Sequence, residues 1–392
     1  MHPETRCDVL VCGGGIAGIA AALAAARAGM KTALIEKTIL PGGLATSGLI
    51  NVYLPLCDGN GRQATFGIAE ELLHLSMRYG PGEVPDWPKA RQGEGRERFQ
   101  VIFSPAAFVL ALDEVLQQAG VDLWFDTLAC APVLDGNRVA GVDVETKEGR
   151  RRFLGACVID ATGDADLAFR AGAECVEAQN VMACWALEAD LTAGPDLALE
   201  GRGAGKLRIV RFGAHRANPR YPARGLGTTA KDVTEFALRG RELLRERYRR
   251  LAAERGDGVR QTAFPVALPT MAQFRTTRRI VGRDTLSDGE EGRRREDSIG
   301  LVADWRAPGL VWEVPFGALL PRATEGLLVA GRCISSAGDA WEVTRVIPAA
   351  ALTGQACGLA AALAIRAAVP PAALNVSALQ SALNAAGVPV HL

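Results

Sequence analysis

Near the start of the chain, the stretch VCGGGIAGIAA, Val11 to Ala21, puts three consecutive glycines and then a fourth where an apolar run hands over to an Ala-rich one. Glycine weakens the interior of strands and helices alike. A cluster of it at such a junction suits backbone that must turn tightly and come very close to something. Gly13-Gly14-Gly15-Ile16-Ala17-Gly18 satisfies G-x-G-x-x-G. Gly13 permits the tight turn, Gly15 lets backbone touch a pyrophosphate, and Gly18 lets helix and strand pack closely. The helix N-terminus then presents unpaired N–H groups and a partial positive charge to the phosphates. Asp8–Cys12 reads as a strand, Gly15–Ala28 as a helix and Lys31–Glu36 as a second strand. Glu36 ends this β-α-β unit about 20 residues beyond the glycines, placed to accept hydrogen bonds from a ribose. A dinucleotide is the expected ligand.

The rest of the chain allows for a large protein around that unit. Its 392 residues suit two lobes sharing a cleft. Lys+Arg and Asp+Glu are equal at 44 each, which argues against a nucleic-acid binder working through a global positive field. The nine cysteines are scattered and form no C-x-x-C pair, a pattern of reduced thiols in the cytoplasm rather than of disulfides or zinc. The first eight residues, MHPETRCD, lack the positive entry of a signal peptide. Val346–Ile365 carries no charge, but its Ala, Gly, Pro348 and Gln355 fit a buried helix packed against backbone or ligand better than a membrane span.

Further along, Ser104–Ala119 has helical periodicity with a Ser-Pro start. Leu123–Leu128, Arg138–Thr146 and Arg151–Leu154 alternate like an antiparallel meander, with Asp135–Asn137 as a hairpin turn, and Cys157–Ala161 reads as a separate buried strand. Met182–Leu191 and Lys206–Phe212 look like strands, Gly213–Gly227 like a loop, and Asp232–Arg255 like a long basic amphipathic helix whose face around Arg239–Arg255 is solvated. The buried-strand style returns at Gly326–Gly331. The expected fold is α/β: a Rossmann-like dinucleotide domain with a β-meander, formed by 1–172 and 308–392, plus an inserted α+β substrate or cap lobe at 173–307.

Four separated segments, in order, resemble the FAD-dependent oxidoreductases of the glutathione-reductase-like superfamily. They are the glycine loop, EKTILPGGLATSG from Glu36 to Gly48, IDATGDADLAFRAGA from Ile159 to Ala173, and LLVAGRCISSAGDAWEVTRVIPAAALTGQACG from Leu327 to Gly358. Within that superfamily the sequence is most similar to flavoproteins related to the heterodisulfide reductase A-like and fumarate-reductase-type proteins. The resemblance implies FAD contacts at Gly13, Gly15, Ile16, Ala17, Gly18, Glu36, Lys37, Gly42, Gly43, Leu44, Ala45, Thr46 and Ser47. It implies others at Ala129, Ala161, Thr162, Gly163, Gly331, Arg332, Val346 and Ile347. It further implies a hydride exchanged between flavin N5 and a small organic substrate, with an electron donor or acceptor that the sequence does not identify. A redox-neutral or NAD-binding relative of the same fold, and a subunit that only relays electrons, are the competing readings.

Pro348 suits the first turn of a helix whose N-terminus, aimed at the flavin, would stabilise negative charge there. Arg345, just before it, either adds to that effect, binds an anionic substrate, or is a structural ion-pair partner. Arg278 belongs to RTTRRIVGRDTL, Arg275–Leu286, also similar to a segment of these enzymes; its arginines either grip a carboxylate or bridge the two lobes, the latter favoured for Arg275 and Arg283. Tyr53 and His215 are candidate proton carriers against packing alternatives, and Trp312 and Trp341 either wall the site or fill the core. Gly201–Gly205, GRGAG, fails as a second phosphate loop because Leu207 follows Lys206 where Ser or Thr is needed. No His lies in Gly42–Gly48 to tether the cofactor, and His2, His74, His215 and His391 lack metal-ligand spacing, so the expectation is non-covalent FAD and no metal.

Overall fold

Strand β1 (Glu4–Cys12) begins upstream of its apolar run and ends fully buried, from Val9 to Cys12. Helix α1 (Ile16–Arg27) follows the glycine turn and β2 (Thr32–Ile35) pairs in parallel with β1, so the expected β-α-β unit forms. The structure, a computed structural model, describes residues 3–81, 100–191, 207–213 and 225–392. Gly201–Gly205, His215 and most of the Gly213–Gly227 loop lie outside the described residues.

Helices α2 (Ile68–Met77) and α3 (Pro105–Gln118) come next, the latter capped by Ser104, whose Oγ accepts from the Ala107 N–H. The meander departs from its expected form at both ends. Leu123–Leu128 is not one strand: β3 (Asp122–Trp124) pairs in parallel with β2, Asp126 has a left-handed φ of 49°, and β4 starts only at Leu128 and runs to Asp135. β5 (Arg138–Thr146) pairs with β4 across the expected turn, where Gly136 has a φ of 62°. Arg151–Leu154 and Cys157–Ala161, save its last residue, are parts of one strand, β6 (Gly149–Asp160). Between them lies Gly155, where a Cβ would come within 3.1 Å of the Leu10 Cβ, so the glycine allows close approach to β1 within a continuous strand. The first half of β6 pairs antiparallel with β5 while its second half continues the parallel sheet. Helix α4 (Asp166–Arg170) leaves from its end.

Strand β7 (Cys175–Glu177) opens the next region. β8 (Ala183–Asp190), β9 (Leu207–Gly213) and β10 (Ala263–Ala267) form a three-stranded sheet with β8 in the centre, against which helix α5 (Ala230–Arg255) packs through Phe236, Leu243 and Leu244. Most arginines of α5 are solvated as expected, but Arg247 and Arg208 both pair with Glu188, which is fully buried. β11 (Arg278–Ile280) returns to pair with β7, and β12 (Ser298–Ala303) forms a hairpin with β13 (Val311–Pro315). Ile299 and Val302 of β12 already belong to the large core around α1.

β14 (Leu327–Val329) adds to β6 in parallel, giving a sheet of order β3-β2-β1-β6-β5-β4 with β14 beside the distal half of β6. Helices α6 (Gly338–Thr344), α7 (Ile347–Arg366) and α8 (Val376–Ala385) complete the chain. Among the described residues α7 is the one helix long and apolar enough to cross a membrane, and 83% of its 18-residue apolar window is buried inside the protein. It is a core helix. Its alanines and glycines lie on those of α1, which explains the composition: only small side chains let two helices and the sheet beneath them approach so closely.

Candidate functional site

A cavity of about 340 Å³ opens where the C-terminal ends of β1 and β6 meet the region carried by α5 and the segment before β11. This is the crevice in which open parallel sheets hold ligands. Gly13, with a φ of 107°, turns the chain out of β1, and a methyl group there would overlap the Ala161 carbonyl. A methyl at Gly18 would overlap the Gly13 carbonyl oxygen, so this glycine lies behind the loop and off the cavity wall. Gly15 has nothing within 4 Å of its Cβ position: its backbone faces open space. It is the N-cap of α1, and no side chain caps that helix and no acid sits in its first turn. The N–H groups of a buried helix end are therefore left for a ligand.

Glu36 stands beside this loop, 5% exposed. Its Oε2 accepts from the Gly14 N–H at 2.7 Å, and its Oε1 from the Thr38 N–H and Oγ, both at 2.9 Å. No cation pairs with it among the described residues. Each carboxylate oxygen can accept more than one hydrogen bond, so Glu36 both braces the glycine loop and has capacity to bind hydroxyls. The Gly42 N–H donates to the Gly14 carbonyl at 2.8 Å, which ties the second glycine segment to the first. Gly42, Gly43, Leu44, Ala45 and Lys37 line the cavity. Thr46 and Ser47 do not: Thr46 Oγ donates to the Pro41 carbonyl at 2.5 Å, and both side chains are buried in the loop.

At the end of β6, fully buried Asp160 accepts from the Thr162 N–H and Oγ and from the Ala168 N–H, so it shapes the turn that brings Ala161, Thr162 and Gly163 to the wall. Burial raises its pKa despite those donors. Ala129 lies further along, where Arg170 donates to the Ala129 and Cys130 carbonyls. Gly331 and Ile347 complete the side formed by β14 and α7. α7 resembles α1 in having no side-chain cap and no acid in its first turn; its N-cap Val346 is buried and off the cavity wall.

Arg332 reaches the wall as a brace. Its Nε donates to the Gly163 carbonyl at 2.8 Å, its Nη1 to the Phe274 carbonyl at 2.5 Å, and its Nη2 to Asp164. Asp164 also accepts from Thr277 Oγ at 2.5 Å. Three segments distant in sequence are thus locked together at the cavity. Arg345 lines the cavity and pairs with Glu342 through Nε at 2.8 Å and through Nη2, so the ion-pair partner and the cavity residue are one side chain.

Arg278 is not brought to the cavity. It is 4% exposed, donates to the Asp164 carbonyl, pairs with Asp166 at 2.7 Å and Glu177 at 3.7 Å, and lies 4.0 Å from the Phe169 ring centroid. Its donors are committed to holding β11 on α4 and β7. Arg278→Met is expected to lower stability by about 1–3 kcal/mol, less than the 3–5 of a fully buried pair because both acids are about one-third exposed. A melting curve beside a flavin spectrum checks this; unchanged melting with altered spectrum would return Arg278 to the site. Tyr53 is fully buried with its hydroxyl donating to the Ala69 carbonyl, and burial drives its pKa up, so it is a core residue rather than a proton carrier. Trp312 and Trp341 are likewise core residues, their indole N–H groups donating to Asp304 and to the Arg332 carbonyl. No disulfide joins the nine cysteines, and burial pushes Cys157 up to about 12 and Cys7, Cys175 and Cys184 to about 11.

The opposite wall was not legible in the sequence. Thr270, Met271, Ala272 and Phe274 face the glycine loops, with Gly227 and Val233 beside them. The Thr270 N–H donates to the Ser47 carbonyl at 2.9 Å, and Gln273 bridges the Gly48 carbonyl to β8 at Trp185. Asp164, which directly follows Gly163, is a missed residue that a motif could have flagged, as are Thr38 after Lys37 and Ala330 before Gly331.

Two uncapped helix N-termini, an open glycine backbone and a buried carboxylate acceptor at one cavity fit the phosphates and ribose of a flavin dinucleotide. The model of the FAD dependent oxidoreductase family matches residues 8–183 and 191–383, and the chain belongs to that family. FAD is its cofactor and it is an enzyme of the oxidoreductase class. Digeranylgeranylglycerophospholipid reductase of Picrophilus torridus is 32% identical over 147 residues, a match spanning 36% of this chain and 35% of that protein's length. A geranylgeranyl bacteriochlorophyll reductase-like protein from Thermoplasma acidophilum shares the fold, with a TM-score of 0.51, 15% identity, and 99% and 93% of the two chains covered. The p-nitrophenol 4-monooxygenase of Pseudomonas putida aligns over 98% of this chain and 81% of its own, at 12% identity and a TM-score of 0.48.

Proposed function

We propose that this flavoenzyme exchanges an electron pair between non-covalently held FAD and a small organic substrate seated between the cofactor domain, 1–172 and 308–392, and the lobe at 173–307. The observation that carries this reading is the two-sided cavity: dinucleotide loops on one side, Met271, Ala272 and Phe274 on the other. When bound, FAD supplies the two-electron chemistry with the substrate. The chain's residues do the rest. The α1 N-terminus takes the phosphates and Glu36 the adenosine ribose, while Gly331 and Ile347 border the redox end of the cofactor. Arg332 and Asp164 fix the two lobes at one spacing, and Met271 and Phe274 keep water from the space between. The α7 N-terminus and Arg345 place positive charge where negative charge develops. Kinship with the heterodisulfide reductase A-like and fumarate-reductase-type flavoproteins, and a cytoplasmic location consistent with nine cysteines outside any disulfide, belong to the same proposal.

Anaerobic incubation of the yellow protein with a panel of small organic reductants and oxidants tests it through the visible flavin band. The band is expected to bleach, or to return after chemical reduction, with one substrate molecule per flavin. Exchange with protein electron carriers alone would favour a relay subunit, and turnover without net redox change would favour a redox-neutral enzyme.

A further inference from the structure

Along the segment 270–277 the polar side chains are spent on structure and the apolar ones are left for the cavity. Thr270 gives its backbone N–H and its Oγ to the Ser47 carbonyl, at 2.9 and 3.4 Å. Gln273 is buried and uses both ends of its amide on Gly48 and Trp185. Thr277 Oγ donates to Asp164 at 2.5 Å. Met271, Ala272 and Phe274 line the cavity, with Gly227 and Val233 beside them. The Phe274 ring is held against Phe236, their centroids 4.4 Å apart. Gly227, with a φ of 77°, leaves it that place: a methyl group there would come to 3.0 Å from the Phe274 ring.

The charged side chains of the cavity come from elsewhere, and the protein occupies most of them itself. At the β6–α4 turn and in α4, Asp164 accepts from Arg332 and Thr277, Asp166 pairs with Arg278, and Arg170 donates to two carbonyls. Arg345, before α7, pairs with Glu342. Glu36 and Lys37 stand at the ribose end. Among the described residues, the wall of Val233, Met271, Ala272 and Phe274 carries no charge. An ion pressed against it would lose water and gain no partner, whereas an apolar group gains by leaving water. The rim has the same character. Val233 is exposed as well as on the wall, and so are Leu226, directly before Gly227, and Leu268, two residues before Thr270, left in water. Large apolar side chains left in water around a cavity mark a site for an apolar partner.

We propose that the wall of Val233, Met271, Ala272 and Phe274 is the subsite for an uncharged hydrocarbon skeleton, so that the substrate is a neutral compound bound through its apolar part. This rests on the flavoenzyme reading above and narrows it. Burial of apolar area holds such a substrate, and affinity grows with the hydrocarbon it carries. Phe274, backed by Phe236, supplies a fixed face. The unbranched thioether of Met271 adapts to the skeleton that lies on it.

The test titrates the FAD-loaded protein, at neutral pH and constant ionic strength, with hexanol, hexanoate and hexylamine, probes of one chain length and three charges. Binding is followed by the visible flavin band and by the heat of mixing. Hexanol is expected to bind saturably, and each ion at least tenfold more weakly. From butanol through hexanol to octanol, each added methylene should lower Kd by roughly two- to fourfold. Met271→Glu should raise the hexanol Kd at least tenfold and tighten hexylamine, with circular dichroism checking the fold. An ion that binds as tightly as hexanol, a Kd that does not fall from butanol to octanol, no saturable response to any alcohol, or an unchanged hexanol Kd in Met271→Glu would each overturn the proposal. Should Met271→Glu fail to fold, Ala272→Glu is read by the same criteria. A variant that loses FAD affinity while its hexanol Kd stays the same would assign the wall to the flavin ring instead. Failure of the underlying reading looks different: a protein without flavin, or a flavin that no small molecule reduces or reoxidises.

Discussion

Glu36→Ala is expected to weaken FAD binding by about 1.5–3 kcal/mol, the loss of a charged acceptor from the ribose, which corresponds to roughly 10- to 150-fold in Kd. The geometry adds a second contribution. The carboxylate also accepts from the Gly14 N–H and from Thr38, so removing it leaves buried donors unpaired and loosens the loop that faces the phosphates. Glu36→Gln keeps one acceptor oxygen but turns an NH2 group toward donors, and should fall between wild type and Ala. Titration of flavin-free protein with FAD, read by quenching of flavin fluorescence, measures the Kd; far-ultraviolet circular dichroism checks the fold. An unchanged Kd in Glu36→Ala would show that the carboxylate serves the loop alone.

The second large effect concerns stability. A methyl group at Gly354 would overlap the Ala17 carbonyl oxygen, and one at Gly358 the Ala21 carbonyl oxygen. Both clashes are with helix backbone, which cannot rotate away, so α1 and α7 must move apart along a contact built from alanines and glycines. Overpacking of this kind costs typically 1–3 kcal/mol and occasionally more. Gly354→Ala is therefore expected to lower the melting temperature by several degrees, and Gly358→Ala by a similar amount. Ala17 lines the cavity from the first turn of α1, so Gly354→Ala should weaken FAD binding as well. Gly258→Ala is the control: its Cβ position is open, and the change should stay within about 0.5 kcal/mol. Equal melting of Gly354→Ala and Gly258→Ala would mean that the helices are not so closely packed.

What the sequence revealed was what local physics enforces. The strand-glycine-helix junction, Glu36, the paired glycines at Gly42 and Gly43 and the start of α7 at its proline all depend on neighbours within a few residues, and all appear where expected. Two errors in the meander share a cause: turn-forming residues do not announce which strand they serve. Arg151–Leu154 and Cys157–Ala161 read as two strands but run on through Gly155, a point of close approach, and Asp126 turns the chain inside what alternates like a single strand. The wall opposite the glycine loops is of another kind. Thr270, Met271 and Phe274 carry no pattern of their own; a backbone hydrogen bond to Ser47 and a side-chain bridge from Gln273 bring them there. Arginines posed a third difficulty. The sequence favours a bridging role for Arg275 and Arg283 over Arg278, yet Arg278 is the one that pairs with two carboxylates, while Arg275 Nε has no partner.

The most direct test of the account as a whole is the identity and linkage of the bound cofactor. The purified protein is precipitated with acid, and the pellet and supernatant are assayed for flavin. The structure predicts a yellow native protein that releases one FAD per chain into the supernatant and leaves the polypeptide colourless. A native protein without flavin absorbance, a released nicotinamide dinucleotide, or flavin that stays with the pellet would contradict it.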